Sequence, residues 1–468
     1  MSHATPGRLA RQVADTCRDL VAQPGLPFAQ HLPADRVLDT FRDLGGAYRP
    51  RVYTPATTLW AFLHQCLDPD HSCQQAVDRL LAYRAARGLA DCSDDTGAYC
   101  KARARLPEQL LRELVRQSGR SAAPPPAGLW KGRHVKVVDG TGLSMPDTPA
   151  NQREYPQPAD ITPGVGFPLL RLVVVFSLAT GLVLEAAMGP RRGAGTSEVF
   201  LFRGIDGVLG PGDVLLGDRN FSSFWEVARA LRRGADVVVR RNGGRRPVPF
   251  GGGHDRREGW RKPARPAWMT PEEYASYPEW LRLRAVRVRV RRRGFRTRQV
   301  VLVTTLLDKA AYPARDLAEL YRRRWQAELN LRSLKVVLRM DVLRGQSPDI
   351  VRKEVWAHLL AYNLVRALMA RAAAGAGARA DELSFCGAWH ALNAFLPRFQ
   401  GARTEAEGLR LWRRLLELIG RRRVGRRPDR YEPRKVKRRP KKCDRLHRPR
   451  AEERRRLRDG VSEEIRKN

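Results

Sequence analysis

The sequence has few acidic side chains relative to basic ones, and it lacks several patterns that mark common protein classes. It contains 49 Asp and Glu against 87 Lys and Arg, which gives a formal net charge of +38. Its seven cysteines form no C-x-x-C pair, so neither a disulfide framework nor a zinc ribbon is indicated, and a cytoplasmic location is expected. No run approaches about 18 apolar residues, so no membrane-spanning helix and no membrane partner are predicted.

Several catalytic motifs are also missing. The sequence has no G-x-x-x-x-G-K-[ST] loop, no H-E-x-x-H pair and no G-x-S-x-G elbow, which argues against P-loop NTPases, zincins and α/β-hydrolases. His64-x-Cys66 and His71-x-Cys73 offer four soft metal ligands. They lie in an apolar, helical-looking stretch, so simple packing is the alternative to zinc binding.

What the chain does have is length, apolar content and a strong positive charge. Its 468 residues suggest two to four domains, and 43% hydrophobic residues are enough to build a core. The last 48 residues hold 22 basic and 8 acidic side chains, which leaves +24 on the remaining 420. A polyanionic partner is therefore expected for the body of the protein as well as for its tail.

The hydrophobic periodicity changes along the chain and predicts an α/β protein. Helical spacing dominates the first 125 residues, and an Ala- and Pro-rich linker follows. The order of elements after residue 134 is then β-β-β-α-β-α-β, which is the order of an RNase H-like sheet. The predicted parts are a helical N-terminal DNA-binding region (1–125), the first part of an RNase H-like core (129–240), a β-rich basic insertion (241–298), the second part of the core with a catalytic helix (299–345), a C-terminal helical region (346–420) and a disordered basic tail (421–468).

Within the insertion, valines at 286, 288 and 290 alternate with Arg287, Arg289 and Arg291. A strand over these residues would place three cations on one face and three valines on the other. The arginines could lie along a DNA backbone, and the alternative is a solvated surface hairpin.

Two aspartates follow predicted strands. Asp139 comes after Val135–Val138, and Asp218 comes after the run that ends at Gly217. In an RNase H-like sheet these two strands are neighbours, so the two carboxylates would converge. Hard divalent cations prefer oxygen ligands of this kind, although a single Asp at a strand end is commonly a turn residue.

A strongly predicted helix over 314–340 carries a third set of polar residues. At 100° per residue, Tyr321, Arg324, Glu328 and Lys335 share one narrow face. Such a face is poorly suited to a core, and the alternative is an exposed, salt-bridged surface. The carboxylate could complete a metal site while the cations hold phosphates.

The spacing Tyr321-x2-Arg324-x3-Glu328-x6-Lys335 resembles the Y-R-E-K signature of DDE transposases of the insertion-sequence-four family. Residues 98–107, A-Y-C-K-A-R-A-R-L-P, are similar to the N-terminal stretch of that family. Residues 139–141 and 217–219 are similar to its first and second catalytic blocks. One position departs from some relatives, which have Glu where this chain has Asn220.

The resemblance implies the chemistry and the partners. Asp139, Asp218 and Glu328 would hold two Mg²⁺ ions, for which Mn²⁺ can substitute, during DNA cleavage and strand transfer. Tyr321, Arg324 and Lys335 would grip phosphates, and Trp325 lies where a base could stack. Double-stranded DNA is the implied partner, as terminal inverted repeats and target, bound by a homodimer. A flipped base could be held by one of three tryptophans: Trp260, Trp268 or Trp280.

Two other functions fit parts of this pattern. One is a catalytically inactive, transposase-derived DNA-binding protein, and the other is an RNase H-fold nuclease that cuts without joining. The three carboxylates favour catalysis, and the phosphate-binding residues of the helix favour strand transfer.

Overall fold

The computed structural model describes residues 32–49, 51–121, 128–242, 248–250, 253–289, 299–402, 404–425 and 445–467. The described part of the N-terminal region is helical, as the periodicity predicts. Side-chain caps fix two of its helices, since the Thr54 hydroxyl accepts from the amide of Thr57 and the Ser72 hydroxyl accepts from that of Gln75. The helices of this region are α1 (Ala34–Asp43), α2 (Pro55–Leu67), α3 (Cys73–Ala86), α4 (Thr96–Arg105) and α5 (Glu108–Ser121).

The two His-x-Cys pairs of this region are packed among other side chains. The His64 ring lies 3.2 Å from an Arg79 guanidinium nitrogen, and His71 stacks edge-on against His358. Burial lowers the pKa of His64 to about 3 and that of His71 to about 4. The two pairs therefore have separate partners, which agrees with the packing interpretation.

A nine-stranded mixed sheet forms the centre of the protein, in the order β3-β2-β1-β4-β5-β9-β8-β7-β6. The first three strands are antiparallel, whereas β4 and β5 run parallel to β1. This confirms the predicted α/β class, and the arrangement of β1 to β5 is the one an RNase H-like core requires. The strands are β1 (Val135–Ser144), β2 (Leu169–Ser177), β3 (Val183–Pro190), β4 (Val214–Gly217), β5 (Asp236–Arg240), β6 (Val248–Phe250), β7 (Asp255–Arg261), β8 (Trp280–Arg289) and β9 (Gln299–Thr304).

Three short helices connect these core strands, and one lies in the insertion: α6 (Pro149–Glu154), α7 (Glu198–Arg203), α8 (Phe224–Arg232) and α9 (Pro271–Ala275). Two apolar clusters cover the two faces of the sheet. Val137 and Leu216 belong to the cluster that also includes the later helices, whereas Val138 belongs to the cluster that includes Phe202 of α7. Neighbouring residues of β1 thus point to opposite layers, as strand geometry requires.

The first strand is longer than the sequence indicated. Its predicted end at Val138 is wrong, because β1 continues to Ser144 and pairs with β2 as far as Ser144↔Leu169. Glycine is uncommon inside strands, so the Gly-Thr-Gly sequence after Asp139 favours a turn. These residues are nevertheless part of the strand, because each of them pairs with a residue of the long apolar strand β2. Asp139 consequently lies inside a strand.

The insertion extends the same sheet. Strand β9 pairs with β5 on one side and with β8 on the other, so the insertion strands continue the core without a break. The alternation predicted around residue 287 is present, since Val286 is buried while Arg287 and Arg289 are exposed. Arg291 lies outside the described residues.

The segment after β9 is helical through most of its described part. The helices are α10 (Ala314–Arg323), α11 (Trp325–Arg332), α12 (Pro348–Gly375), α13 (Phe385–Gly401), α14 (Glu405–Arg421) and α15 (Arg450–Lys467). The 28-residue α12 is largely buried, in agreement with its apolar sequence. Helix α15 falls within the tail for which disorder was predicted, and an ion pair of 2.9 Å joins Arg448, just before the helix, to Glu452 in its first turn.

No helix in the described ranges is long and apolar enough to cross a membrane.

Candidate active site

The parallel pairing of β1 and β4 brings two aspartates to the same level of the sheet. The last paired residues are Val137 of β1 and Leu216 of β4. Asp139 lies two residues after Val137, and Asp218 lies two residues after Leu216. Because side chains alternate along a strand, Asp139 points to the same layer as Val137, where α11 packs. The predicted convergence of Asp139 and Asp218 thus follows from the register, although Asp139 is not at a strand end.

Asp139 occupies a poorly solvated position, with 18% of its side chain exposed. Burial raises the pKa of Asp139 to about 6; Arg324 and the Gly140 amide oppose this rise, and the charges of Glu328 and Asp218 add to it. The amide of Gly140 donates to Oδ1 of Asp139 at 3.0 Å. All three predicted acidic residues therefore interact electrostatically.

Asp218 is fixed by the turn that follows β4. Its Oδ1 accepts from the amide of Asn220 at 2.7 Å, and the carboxylate caps a short 3₁₀ turn over Arg219–Phe221. Asn220, the residue that departs from some relatives, thus contacts Asp218 through its backbone amide, while its side chain is exposed.

The helix that carries Glu328 is interrupted at one residue. Arg324 separates α10 from α11, and its neighbouring amide bonds are of the tighter i to i−3 kind: Arg324 to the Tyr321 carbonyl and Ala327 to that of Arg324. The Arg324 guanidinium lies 2.7 Å from Glu328 and 3.6 Å from Asp139. It therefore acts as a counter-ion between two of the acidic residues.

Tyr321 lies next to this ion cluster. Its ring packs against the core, and burial raises the pKa of its hydroxyl; Asp218 adds to this rise, while Arg324 and Arg240 oppose it. Arg240 was missed in the sequence. The available signal was its position at the end of β5, next to the strand that ends immediately before Asp218.

Lys335 is not where an ideal α-helix would place it. Residues Ser333–Val337 form a π-helical turn, which contains more residues per turn than an α-helix, so the projection at 100° per residue is wrong beyond Arg332. Lys335 forms no ion pair with any residue in the described ranges. Tyr321, Arg324 and Glu328 belong to one group of interacting side chains, and the place of Lys335 in the site stays a prediction.

The predicted DNA-contacting aromatics differ strongly in exposure. Trp325 is 57% exposed and Trp280 is 47% exposed, so both are accessible to a base. Trp260 is in the core and donates to Glu258. The Arg203 guanidinium covers one face of Trp268, with its carbon 3.8 Å from the ring centre, and the residue is still 37% exposed. Trp260 is thus engaged in packing, whereas Trp268 keeps an accessible surface.

Comparison with known proteins identifies the family to which the chain belongs. The sequence model of the family described as "Transposase DDE domain" matches residues 130–364, half of the chain, from the start of the core to α12. The chain belongs to the DDE transposases. The match contains the strands that carry both aspartates and the helix that carries Glu328.

Named relatives agree with this assignment. The transposase InsG of the insertion sequence element IS4 from Escherichia coli K12 is 26% identical over 363 residues, which cover 74% of this chain and 76% of that protein. The transposase of the insertion sequence element IS421 from Escherichia coli is 40% identical over 65 residues, 14% of this chain and 18% of that one. The predicted resemblance to the insertion-sequence-four family is confirmed.

One solved structure to which the chain is similar is described as the piggyBac transposase synaptic complex with hairpin DNA. It superposes with a TM-score of 0.44 at 11% identity, over 92% of this chain and 91% of that one.

The acidic residues of this transposase suit a divalent cation in their chemistry. DDE transposases use divalent metal ions to promote cleavage of DNA and transfer of its strands, and three carboxylates supply the hard oxygen ligands such ions prefer. Within the described ranges no three His, Cys, Asp or Glu side chains are already arranged as a metal cage. Arg324 supplies the local positive charge between Asp139 and Glu328.

Proposed function

We propose that this transposase excises and reinserts its own insertion sequence through one site formed by Asp139, Asp218 and Glu328. The observation that carries the proposal is the convergence of these carboxylates from three separate elements: the β1–β4 register sets Asp139 and Asp218 at one level, and Arg324 lies within 4 Å of both Asp139 and Glu328. They would hold two Mg²⁺ ions, or Mn²⁺ in their place. The ions would supply activation of water or a 3′-hydroxyl and stabilisation of the leaving oxygen.

The other residues of the site would bind and orient DNA. Tyr321 and Arg324 lie beside the carboxylates and would hold the phosphates that flank the cleaved bond, with Lys335 joining them from the π-helical turn. The exposed ring of Trp325 would stack on a base. Trp280 is the candidate for a flipped base, because it is the most exposed tryptophan of the insertion.

Recognition of the terminal inverted repeats would involve other parts of the chain. We assign it to the helical region 1–125 and to Arg287, Arg289 and Arg291 of the basic insertion. Pairing of two transposon ends would require a homodimer, and the C-terminal region 346–420 would support that assembly.

The test uses the full-length protein, Mg²⁺ and a plasmid that carries its own gene with both flanks. Strand breaks should map to inverted repeats around the gene and disappear in Glu328→Gln, while the variant still binds the same DNA. Glu319→Gln is the matched control, since Glu319 is exposed on α10 and pairs only weakly with Arg322. Cleavage that survives in Glu328→Gln would contradict the proposed triad.

A further inference from the structure

Gly140, which follows Asp139, has no room for a side chain, although its backbone conformation does not require glycine. Gly140 is not among the described glycines with a left-handed φ, so an alanine could adopt its conformation. A Cβ atom at this position would lie 2.5 Å from Cδ and 2.6 Å from Oε1 of Glu198. The Glu198 carboxylate thus occupies the volume that a side chain at position 140 would need.

The carboxylate of Glu198 has no partner in the described residues that would explain its position. Glu198 is the first residue of α7, after the cap formed by Ser197, and its side chain is only partly exposed. Its carboxylate makes no hydrogen bond or ion pair with a residue in the described ranges. An acidic residue in a first helical turn stabilises the helix slightly, but this does not explain its close approach to Gly140.

The distance to the catalytic site is short. Oε1 of Glu198 lies 2.6 Å from the place where a Cβ atom of residue 140 would be, and Oδ1 of Asp139 lies 3.0 Å from the Gly140 nitrogen. Because a backbone nitrogen and the Cβ of the same residue are about 2.5 Å apart, the two carboxylate oxygens are at most about 8 Å apart. Two carboxylate oxygens bound to two ions about 4 Å apart span about the same distance.

Glu198 approaches from the layer opposite to Glu328. Val138 and Gly140 face the layer of α7, whereas Asp139 faces the layer of α11. The parallel partner β4 ends at Gly217, and its last pair with β1 is at Val137. On that side of β1 no paired strand separates the two layers beside Gly140, whereas β2 pairs with Gly140 on the other side. Carboxylates from both layers can therefore reach the same edge.

We propose that Glu198 is a fourth carboxylate of the metal site, which it joins from the opposite face of the sheet. This rests on the proposed function of the Asp139, Asp218 and Glu328 site. It also accounts for a glycine directly after the first catalytic aspartate, since a larger residue would push Glu198 away.

The first test measures Mn²⁺ binding to the full-length protein by electron paramagnetic resonance, in wild type and Glu198→Gln. Loss of a group that supports a metal site typically weakens binding 10- to 100-fold, and this is the expected result. Strand cleavage should fall in parallel, and thermal unfolding should change little, because the Glu198 side chain has no partner in the described ranges and adds only a small helix-dipole stabilisation. Equal Mn²⁺ affinity and equal cleavage in the variant would overturn the proposal.

The second test displaces Glu198 without changing it. Gly140→Ala should reproduce the loss of Mn²⁺ affinity, since its Cβ would collide with the end of a flexible side chain. The double variant Gly140→Ala/Glu198→Ala should be no worse than Glu198→Ala alone. Gly142→Ala is the matched control on the same face of β1, because its Cβ would meet only ordinary contacts of 3.7 Å and 3.9 Å.

The outcomes separate this inference from the proposed function. If Glu328→Gln loses cleavage but Glu198→Gln behaves as wild type, only the role of Glu198 is wrong. If the double variant is additively worse, Gly140 acts through Asp139 and the role of Glu198 is also wrong. If Glu328→Gln retains full cleavage and Mn²⁺ binding, the proposed triad fails first.

Discussion

Removal of the Arg324 charge should tighten metal binding to the DNA-free transposase, even though the variant should cleave poorly. The guanidinium lies 2.7 Å from Glu328 and 3.6 Å from Asp139, so a cation entering between them must displace it. At an effective dielectric constant of 20, two unit charges about 4 Å apart attract by about 4 kcal/mol. Glu328 is 36% exposed, and solvent screening reduces the net effect to about 1–2 kcal/mol, or 5- to 30-fold in affinity.

The assay is a Mn²⁺ titration of Arg324→Gln beside wild type, without DNA, followed by cleavage of the plasmid substrate. We expect tighter Mn²⁺ binding together with loss of cleavage, because the same guanidinium would hold a phosphate in the DNA complex. Arg322→Gln is the control, since Arg322 lies two residues away at the end of α10 and is 77% exposed. Mn²⁺ affinity that is unchanged or weaker in Arg324→Gln would refute the counter-ion role.

Three other predictions concern DNA binding and stability. Arg287→Ala with Arg289→Ala should reduce the slope of log affinity against log salt by about 2 in a filter-binding titration, and an unchanged slope would make this strand a solvated surface. The buried His64 and His358 both have a pKa lowered to about 3, below the value of about 6.5 in an unfolded chain. Stability should therefore be complete above pH 6.5 and fall on acidification, by about 2 kcal/mol per histidine at pH 5 in urea unfolding, and a flat profile would contradict this. Asp255→Ala should lower the unfolding free energy by about 3 kcal/mol, because it leaves the fully buried Arg284 of β8 without a carboxylate partner and with only backbone carbonyl acceptors. Asp255→Glu, which keeps the charge, is the control, and an unchanged urea midpoint in the alanine variant would refute the argument.

Local patterns in the sequence were sufficient where one element determines the outcome. The short apolar run before Asp218 predicts a buried strand, and the structure ends β4 at Gly217, immediately before that residue. The alternation around Arg287 likewise predicts a strand with one charged face, as observed for the described residues. In both cases the period of the side chains carries the information.

The rest depended on contacts between distant segments. The extension of β1 past Asp139 comes from pairing with β2, which its own Gly-Thr-Gly sequence does not encode. The π-helical turn displaces Lys335, although the helix has no Pro or Gly there to mark it. Glu198 was missed in the sequence, because its relation to Gly140 spans 58 positions of the chain.

Strand β9 fixes the distance between the basic insertion and the strand that leads to Asp218. Because β9 pairs with both β5 and β8, the strand that carries Arg287 and Arg289 is separated from the strand of Asp218 by three strand spacings, about 14 Å in total. This corresponds to about four phosphates along one DNA strand, at roughly 3.4 Å each. DNA held by the insertion would then present its scissile bond at a constant number of nucleotides from the contact, so the cut position would be set by the geometry of the sheet.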